Sequence, residues 1–184
     1  MQAEMDRIAA YFAAEYADYD EDLAALEAYA ARMGGPVAEL GCGAGRALIP
    51  LAKAGFDVTG VDISRRMLDL AQQAADAAGA AERLTLVHGD FEAAPLPGPY
   101  SFAFCVMNTF LHLPDTASQV AALRHWRQHL TPSGILLIEV LYPDAAQLVT
   151  LDGKVEWQQS WTDEESGNTV MKCLTRTVDL AEQS

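Results

Sequence analysis

Long apolar runs, clustered basic residues and paired cysteines are all missing from this chain of 184 residues. No apolar stretch approaches the ~18–20 residues that a membrane-spanning helix requires. The N-terminal MQAEMDRIAAYF holds acids and no apolar signal core, so neither membrane insertion nor export is expected. Lys and Arg together number 12 against 26 Asp and Glu, giving a formal net charge of −14. Phosphate backbones are gripped by clustered Lys and Arg, and no such cluster is present, so nucleic acid is not an expected partner. Cysteines number only 3, at positions 42, 105 and 173, with no CxxC pair. Their odd number and wide spacing read as reduced thiols in a cytoplasmic protein, and no metal site is expected.

What the chain does have is a glycine-rich junction. The stretch VAELGCGAGR, residues 37–46, reads as a buried strand running into a turn with glycine at 41, 43 and 45. A helix follows directly with Arg46, Ala47, Leu48, Leu51 and Ala52. Glycine serves where the backbone takes positive φ or a ligand must come against it. The helix start adds free N–H groups and the positive end of the dipole. The spacing is G-x-G-x-G, and Arg46 stands where G-x-G-x-x-G requires its last glycine. Glu39 also sits inside the strand. Its carboxylate would repel a diphosphate and attract an amino or sulfonium cation. A second strand, FDVTGVDIS, ends in Asp62, an acceptor suited to both hydroxyls of a ribose. A third, LTLVHGDFE, carries Asp90 just past its end, placed for an adenine amino group.

ELGCGAG, VDIS with Met67, GDF, FCVMNTFLHL and LTPSGILLIEV follow one another in this order. The set resembles the class I S-adenosylmethionine-dependent methyltransferases, over roughly residues 5–143. That resemblance and the alternation of strands with helices imply an α/β fold with a doubly wound, mainly parallel, Rossmann-like sheet. S-adenosyl-L-methionine is the implied cofactor. Gly41 and Gly43 would let the backbone approach its methionine part, with Cys42 between them and Glu39 close by. Asp62 would hold the ribose, Ile63 and Met67 would lie against the adenine, and Asp90 would meet the adenine amino group with Phe91 packed nearby. Asn108 would lie near the transferable methyl. His112, four residues beyond it, is the candidate catalytic general base, needed only if the acceptor must lose a proton. His88 is expected to be structural, and His125 and His129 to share a solvated helix face. The implied function is methyl transfer to an unidentified small-molecule acceptor. Two alternatives stand beside it: a catalytically idle cofactor-binding partner subunit, and a nicotinamide-dependent oxidoreductase, which Glu39 and the glycine spacing oppose.

By length the chain is one domain, 1–184. Within it residues 1–35 read as a helical cap, 36–143 as the cofactor-binding core and 152–180 as an accessory antiparallel hairpin. The cap carries apolar stripes Met5, Ile8, Phe12, Tyr16 and Leu23, Leu26, Ala30, Met33, and Tyr11, Tyr16 and Tyr19 are candidates for the substrate pocket. Ser64 and Gly79 bound a helix with Met67, Leu68, Ala71, Ala75 and Ala78 on its inner face. A later helix opens near Asp115 with Thr116 and Gln119 as a capping box and Val120, Leu123 and Leu130 as its core stripe. TPSG then turns the chain into a strand over 135–141. The hairpin, KVEWQQSWTD and TVMKCLTRTVDL, alternates as a half-buried ribbon with Trp157 and Trp161 expected on one face. Its competing reading is two further strands of the central sheet, and it leaves open a homodimer through that face. The chain stops at AEQS without a closing element, which points to truncation and an exposed sheet edge.

Overall fold

Short apolar segments bounded by glycine and polar residues become the strands of a parallel sheet covered on both faces. The computed structural model describes residues 2–142, 153–163, 166–175 and 177. Two compact units make up the chain, Met1–Val140 and Leu141–Ser184. In the first, β1 (Val37–Leu40), β2 (Val58–Asp62), β3 (Leu84–His88), β4 (Tyr100–Cys105) and β5 (Leu130–Ile138) pair in the order β3-β2-β1-β4-β5, all parallel. The chain walks outward from β1 to β3 and returns to β4 on the other side, which is the doubly wound arrangement expected. The reversal lies between β1 and β4, and ligands bind such sheets at the carboxyl ends of the strands beside it.

The helices are α1 (Gln2–Glu15), α2 (Leu23–Met33), α3 (Leu48–Lys53), α4 (Arg65–Ala78) and α5 (Thr116–Gln128). Strand alternation puts Val37 and Glu39 on one face of β1 and Ala38 and Leu40 on the other. Val37 packs with Leu26, Leu48, Leu51, Phe102 and Phe104. Leu40 packs with Val61, Tyr100, Cys105 and Trp126. Ser64 caps α4, its hydroxyl accepting the Met67 N–H at 3.1 Å, and Gly79 ends it with φ 66. Both are as the sequence indicates.

Four local expectations fail, each for a visible reason. Asp115, not Thr116, caps α5: its carboxylate accepts the Ser118 N–H at 2.8 Å. The inner face of α5 is Ala122 and Trp126, while Val120 and Leu123 are exposed. Trp126 sets that rotation, since its indole N–H donates to the Phe91 carbonyl at 2.7 Å. TPSG lies inside β5 as a bulge rather than before it, because Leu130 already pairs with Tyr100 while Ile135 pairs with Phe102. Leu130 is therefore a strand residue, and Pro132 is tolerated because β5 is an edge strand among the described residues. His125 and His129 are half-buried rather than solvated. The His125 Nε2 lies 3.0 Å from the Ala94 carbonyl oxygen and its ring 4.8 Å from that of His129. No group of metal-ligating side chains is found among the described residues.

In the second unit β6 (Val155–Thr162) and β7 (Thr169–Thr175) form the expected antiparallel pair, as a two-stranded sheet of their own. A bulge between Trp157 and Gln159 shifts the register, so Trp157 opposes Cys173 while Trp161 opposes Val170. The extra residue reverses the alternation. The two tryptophans therefore point to opposite faces, Trp157 being 63% exposed and Trp161 half-buried. The expectation of one shared face is corrected. The ends of the 152–180 segment lie outside the described residues.

Candidate functional site

The carboxyl ends of β1, β2 and β4 open onto a cavity of 740 Å³, within the ~300–1,000 Å³ of small-molecule sites. Its floor is the glycine loop. Gly41 and Gly43 take φ 70 and 52, in the left-handed region. The Gly41 and Cys42 N–H groups donate to the Val61 carbonyl at 2.8 and 3.0 Å, pinning the loop over β2. A β-carbon on Gly41 would overlap the Thr109 methyl, so the close approach of the loop after β4 requires glycine there.

Asp62 locks this loop from the side. Its Oδ2 accepts the Gly43 N–H and its Oδ1 the Ser64 N–H, each at 2.8 Å. A carboxylate oxygen has two acceptor positions, so each retains one for a ligand hydroxyl. Burial pushes the Asp62 carboxyl above its ordinary range, although both N–H donors work in the opposite direction. Ile63 is held in turn from β3, where the His88 Nε2 lies 3.0 Å from its carbonyl oxygen, giving His88 the structural place expected of it.

Glu39 is the anomaly. It is 4% exposed, and its Oε2 is buried without a hydrogen-bond partner. Burial raises its carboxyl well above the usual carboxylate range, with Arg46 pulling the other way. Buried polar groups are almost always satisfied, so the side chain of Glu39, which lines the cavity, leaves an acceptor unpaired beside it and favours a cationic donor there. Cys42 offers no such chemistry. Burial raises its thiol strongly, and its side chain packs tightly against Gly60. It is packing.

Glu39, Gly41, Cys42, Gly43, Asp62, Ile63, Met67, Asp90 and Phe91 are all brought to the cavity wall, together with His112, Tyr16 and Tyr19. Asn108 and Tyr11 are not among the lining residues. Asn108 takes φ 62 directly after Met107 at φ 57, two consecutive left-handed residues where β4 gives way to a 3₁₀ turn over Thr109–His112. The Glu139 carboxylate at the end of β5 accepts the Met107 N–H at 3.1 Å and steadies that turn.

Sequence reasoning missed Arg46, Asp22 and Glu139. Arg46 was legible only as a departure from the glycine pattern, and Asp22 as one of a run of acids at a helix start. In the fold the Arg46 guanidinium meets both Asp22 carboxylate oxygens, at 2.6 and 2.7 Å, and the Tyr19 carbonyl at 3.0 Å. The arrangement as a whole offers an anionic pocket for a cation at Glu39, acceptors for a diol at Asp62, and apolar surfaces at Ile63, Met67 and Phe91.

Residues 37–134 match the profile of a family described as a methyltransferase domain. The cypemycin N-terminal methyltransferase of a Streptomyces species is 29% identical over 159 residues, which are 82% of this chain and 57% of that protein. The chain thus spans little more than half the length of that relative. The CcbJ methyltransferase of Streptomyces caelestis is similar in structure, with a TM-score of 0.70 and 27% identity over 91% of this chain and 81% of that one. The glycopeptide N-methyltransferase MtfA, solved with S-adenosyl-L-methionine, shares the fold with a TM-score of 0.60 and 24% identity, over 87% of this chain and 68% of that one.

Proposed function

This chain belongs to the methyltransferase domain family, and on that premise we propose that it transfers a methyl group from S-adenosyl-L-methionine to a small-molecule acceptor. The observation that carries the proposal is the orphaned Glu39 carboxylate. The cofactor's α-ammonium is a donor of the required sign, and the glycine loop beside Glu39 is open for the methionine backbone. Asp62 would accept the ribose hydroxyls through the lone pairs that Gly43 and Ser64 leave unused. Ile63, Met67 and Phe91 would enclose the adenine, with Asp90 at its amino edge.

When bound, the cofactor supplies an electrophilic methyl carried on a sulfonium. The protein's task is then to align an acceptor and exclude water, and proximity and orientation carry most of the barrier reduction. Phe12, Tyr16 and Tyr19 close one side of the cavity and Met107, Thr109 and His112 another. His112 would take the proton from an acceptor that must lose one, through whichever ring nitrogen is unprotonated. In this reading residues 1–35 are a cap, 36–143 hold the cofactor, and the hairpin serves acceptor choice or association with a second copy. No helix among the described residues is long and apolar enough to cross a membrane. The reduced, scattered cysteines favour the cytoplasm, and the −14 charge disfavours nucleic acid.

A thermal-shift panel of S-adenosylmethionine, S-adenosylhomocysteine, NAD and ATP tests the cofactor assignment, because ligands of the folded state raise the melting temperature. The first two are expected to stabilise the chain. Stabilisation by NAD alone would replace this reading with a dehydrogenase. A radiolabelled methyl-transfer screen over amines, phenols and carboxylates then identifies the acceptor.

A further inference from the structure

We propose that Asp22 and Arg46 are positioning residues for the reaction: their ion pair ties the wall over the cavity to the glycine loop, so that wall closure and cofactor retention are one event. This rests on the cofactor reading above. The wall is the linker between α1 and α2, whose residues Tyr16, Ala17, Asp18, Tyr19 and Asp20 all line the cavity. Arg46 follows the last glycine of the loop and lines the same cavity.

The geometry singles out this pair. Asp22 occupies the N-cap position of α2, where an acidic side chain ordinarily accepts a helix N–H, yet it makes no capping bond. Such a bond stabilises a helix start, and Asp22 forgoes it. Both of its oxygens are instead turned to Arg46, at 2.6 and 2.7 Å, across 24 residues of sequence. The same guanidinium donates to the Tyr19 carbonyl at 3.0 Å and lies 5.1 Å from the centre of the Tyr19 ring. It therefore grips the linker at two points, one on each side of Asp20. A bidentate fork of this kind is specific to arginine, and a lysine would satisfy only one oxygen at a time. Both side chains are only 15% exposed, so the pair is less screened than a surface salt bridge, whose worth is close to nothing.

The other end of the cap has its own tie. The Ser64 hydroxyl donates to Asp6 on α1 at 2.6 Å, and the Arg66 N–H to the same oxygen at 3.2 Å. Asp6 thus fastens α1 beside Asp62, and Asp22 fastens the linker beside the glycines. With α1 anchored independently, loss of the Asp22–Arg46 pair frees the linker alone. The expected consequence is faster escape of the cofactor with its contacts on the body intact.

The test uses the full chain and S-adenosylhomocysteine as the probe, with Asp22→Asn, Arg46→Gln and the double variant. Stopped-flow dissociation should quicken about tenfold in each single variant, equivalent to ~1.4 kcal/mol. The double variant should dissociate no faster than the quicker single one, because partners in one interaction are not additive. Hydrogen exchange without ligand should rise at residues 16–23 and stay unchanged in β1 and α4, which separates a freed wall from general loosening. Wild-type dissociation in Asp22→Asn, or exchange that rises evenly over the fold, overturns the proposal and leaves the cofactor reading standing. A wild-type chain that does not bind the probe overturns both.

Discussion

Replacing Glu39 by Gln should move stability and ligand affinity in opposite directions. The wild-type side chain is 4% exposed with one oxygen unpartnered. Leaving a buried polar group unsatisfied costs about 1–3 kcal/mol, and more when it is charged. The carboxyl is raised by burial above its ordinary value of 4.5. In the folded chain it therefore retains a proton that the unfolded chain releases, so the penalty on folding is absent at low pH and grows as pH rises above that ordinary value. Glutamine keeps the shape and removes the ionisation. At pH 8 the ligand-free variant should be the more stable by about 1–3 kcal/mol, which for a chain of this size is roughly 2–12 °C in melting temperature. Below about pH 4, where glutamate is protonated in both states, the two curves should meet. Binding runs the other way. Loss of a charge-assisted contact to the α-ammonium costs about 1.5–3 kcal/mol, so calorimetry should show S-adenosylmethionine binding at least tenfold more weakly. Equal melting temperatures at pH 8 would show that Glu39 is satisfied in the folded protein. Unchanged affinity would remove it from the ligand.

Asp62→Ala should weaken cofactor binding by about 1.5–3 kcal/mol in calorimetry, and wild-type affinity would refute the ribose assignment. Gly43→Val should fold, since a β-carbon there meets nothing closer than the Met67 sulfur at 4.0 Å, at a strain cost of roughly 1–3 kcal/mol for its positive φ. It should nonetheless lose cofactor binding, and a folded variant that binds normally would show that the loop does not touch the ligand. With an acceptor that must lose a proton, His112→Ala should slow turnover by about 10²–10⁴, and an unchanged rate would exclude it as the base. Deleting residues 152–184 should leave S-adenosylmethionine affinity within about tenfold, because the described residues that line the cavity lie between Met5 and His112; a deletion variant folded by circular dichroism that no longer binds would refute this.

Most of the sheet was legible because its signals are local. A short apolar run between glycines has few alternatives to a buried parallel strand, and Ser64 and Gly79 mark the ends of α4 through bonds made within a turn. The cavity wall was legible for the same reason, since Glu39, Asp62 and Asp90 stand at strand ends and topology alone gathers them. What escaped depends on partners distant in sequence. The rotation of α5 follows from one indole bonded to the Phe91 carbonyl, and Val120 and Leu123 carry no mark of that. The faces of Trp157 and Trp161 turn on a single inserted residue in a ladder, which period-2 reasoning cannot register. Asp22 offered a good local reason to be a helix-terminal acid, and that reason concealed its bond to Arg46.

Several of the local rules that this chain breaks are broken around one cavity. Glu39 is a buried carboxylate without a partner on β1. Met107 and Asn108 hold left-handed backbone after β4. Asp22 leaves the start of α2 uncapped by its side chain. The first two departures each disfavour the ligand-free fold by about 1–3 kcal/mol, a large share of the 5–15 kcal/mol by which domains are stable, while Asp22 exchanges its cap for the pair with Arg46. A ligand that binds only the folded state restores about 2.7 kcal/mol at one hundred times its dissociation constant. That amount matches the cost of the Glu39 orphan alone. Scattered over the surface, the same departures would read as tolerated imperfections. Gathered at the carboxyl edge of the sheet, they mark the place where a cationic ligand would complete the fold, and on the proposed reading the stability of this chain should rise with its cofactor supply.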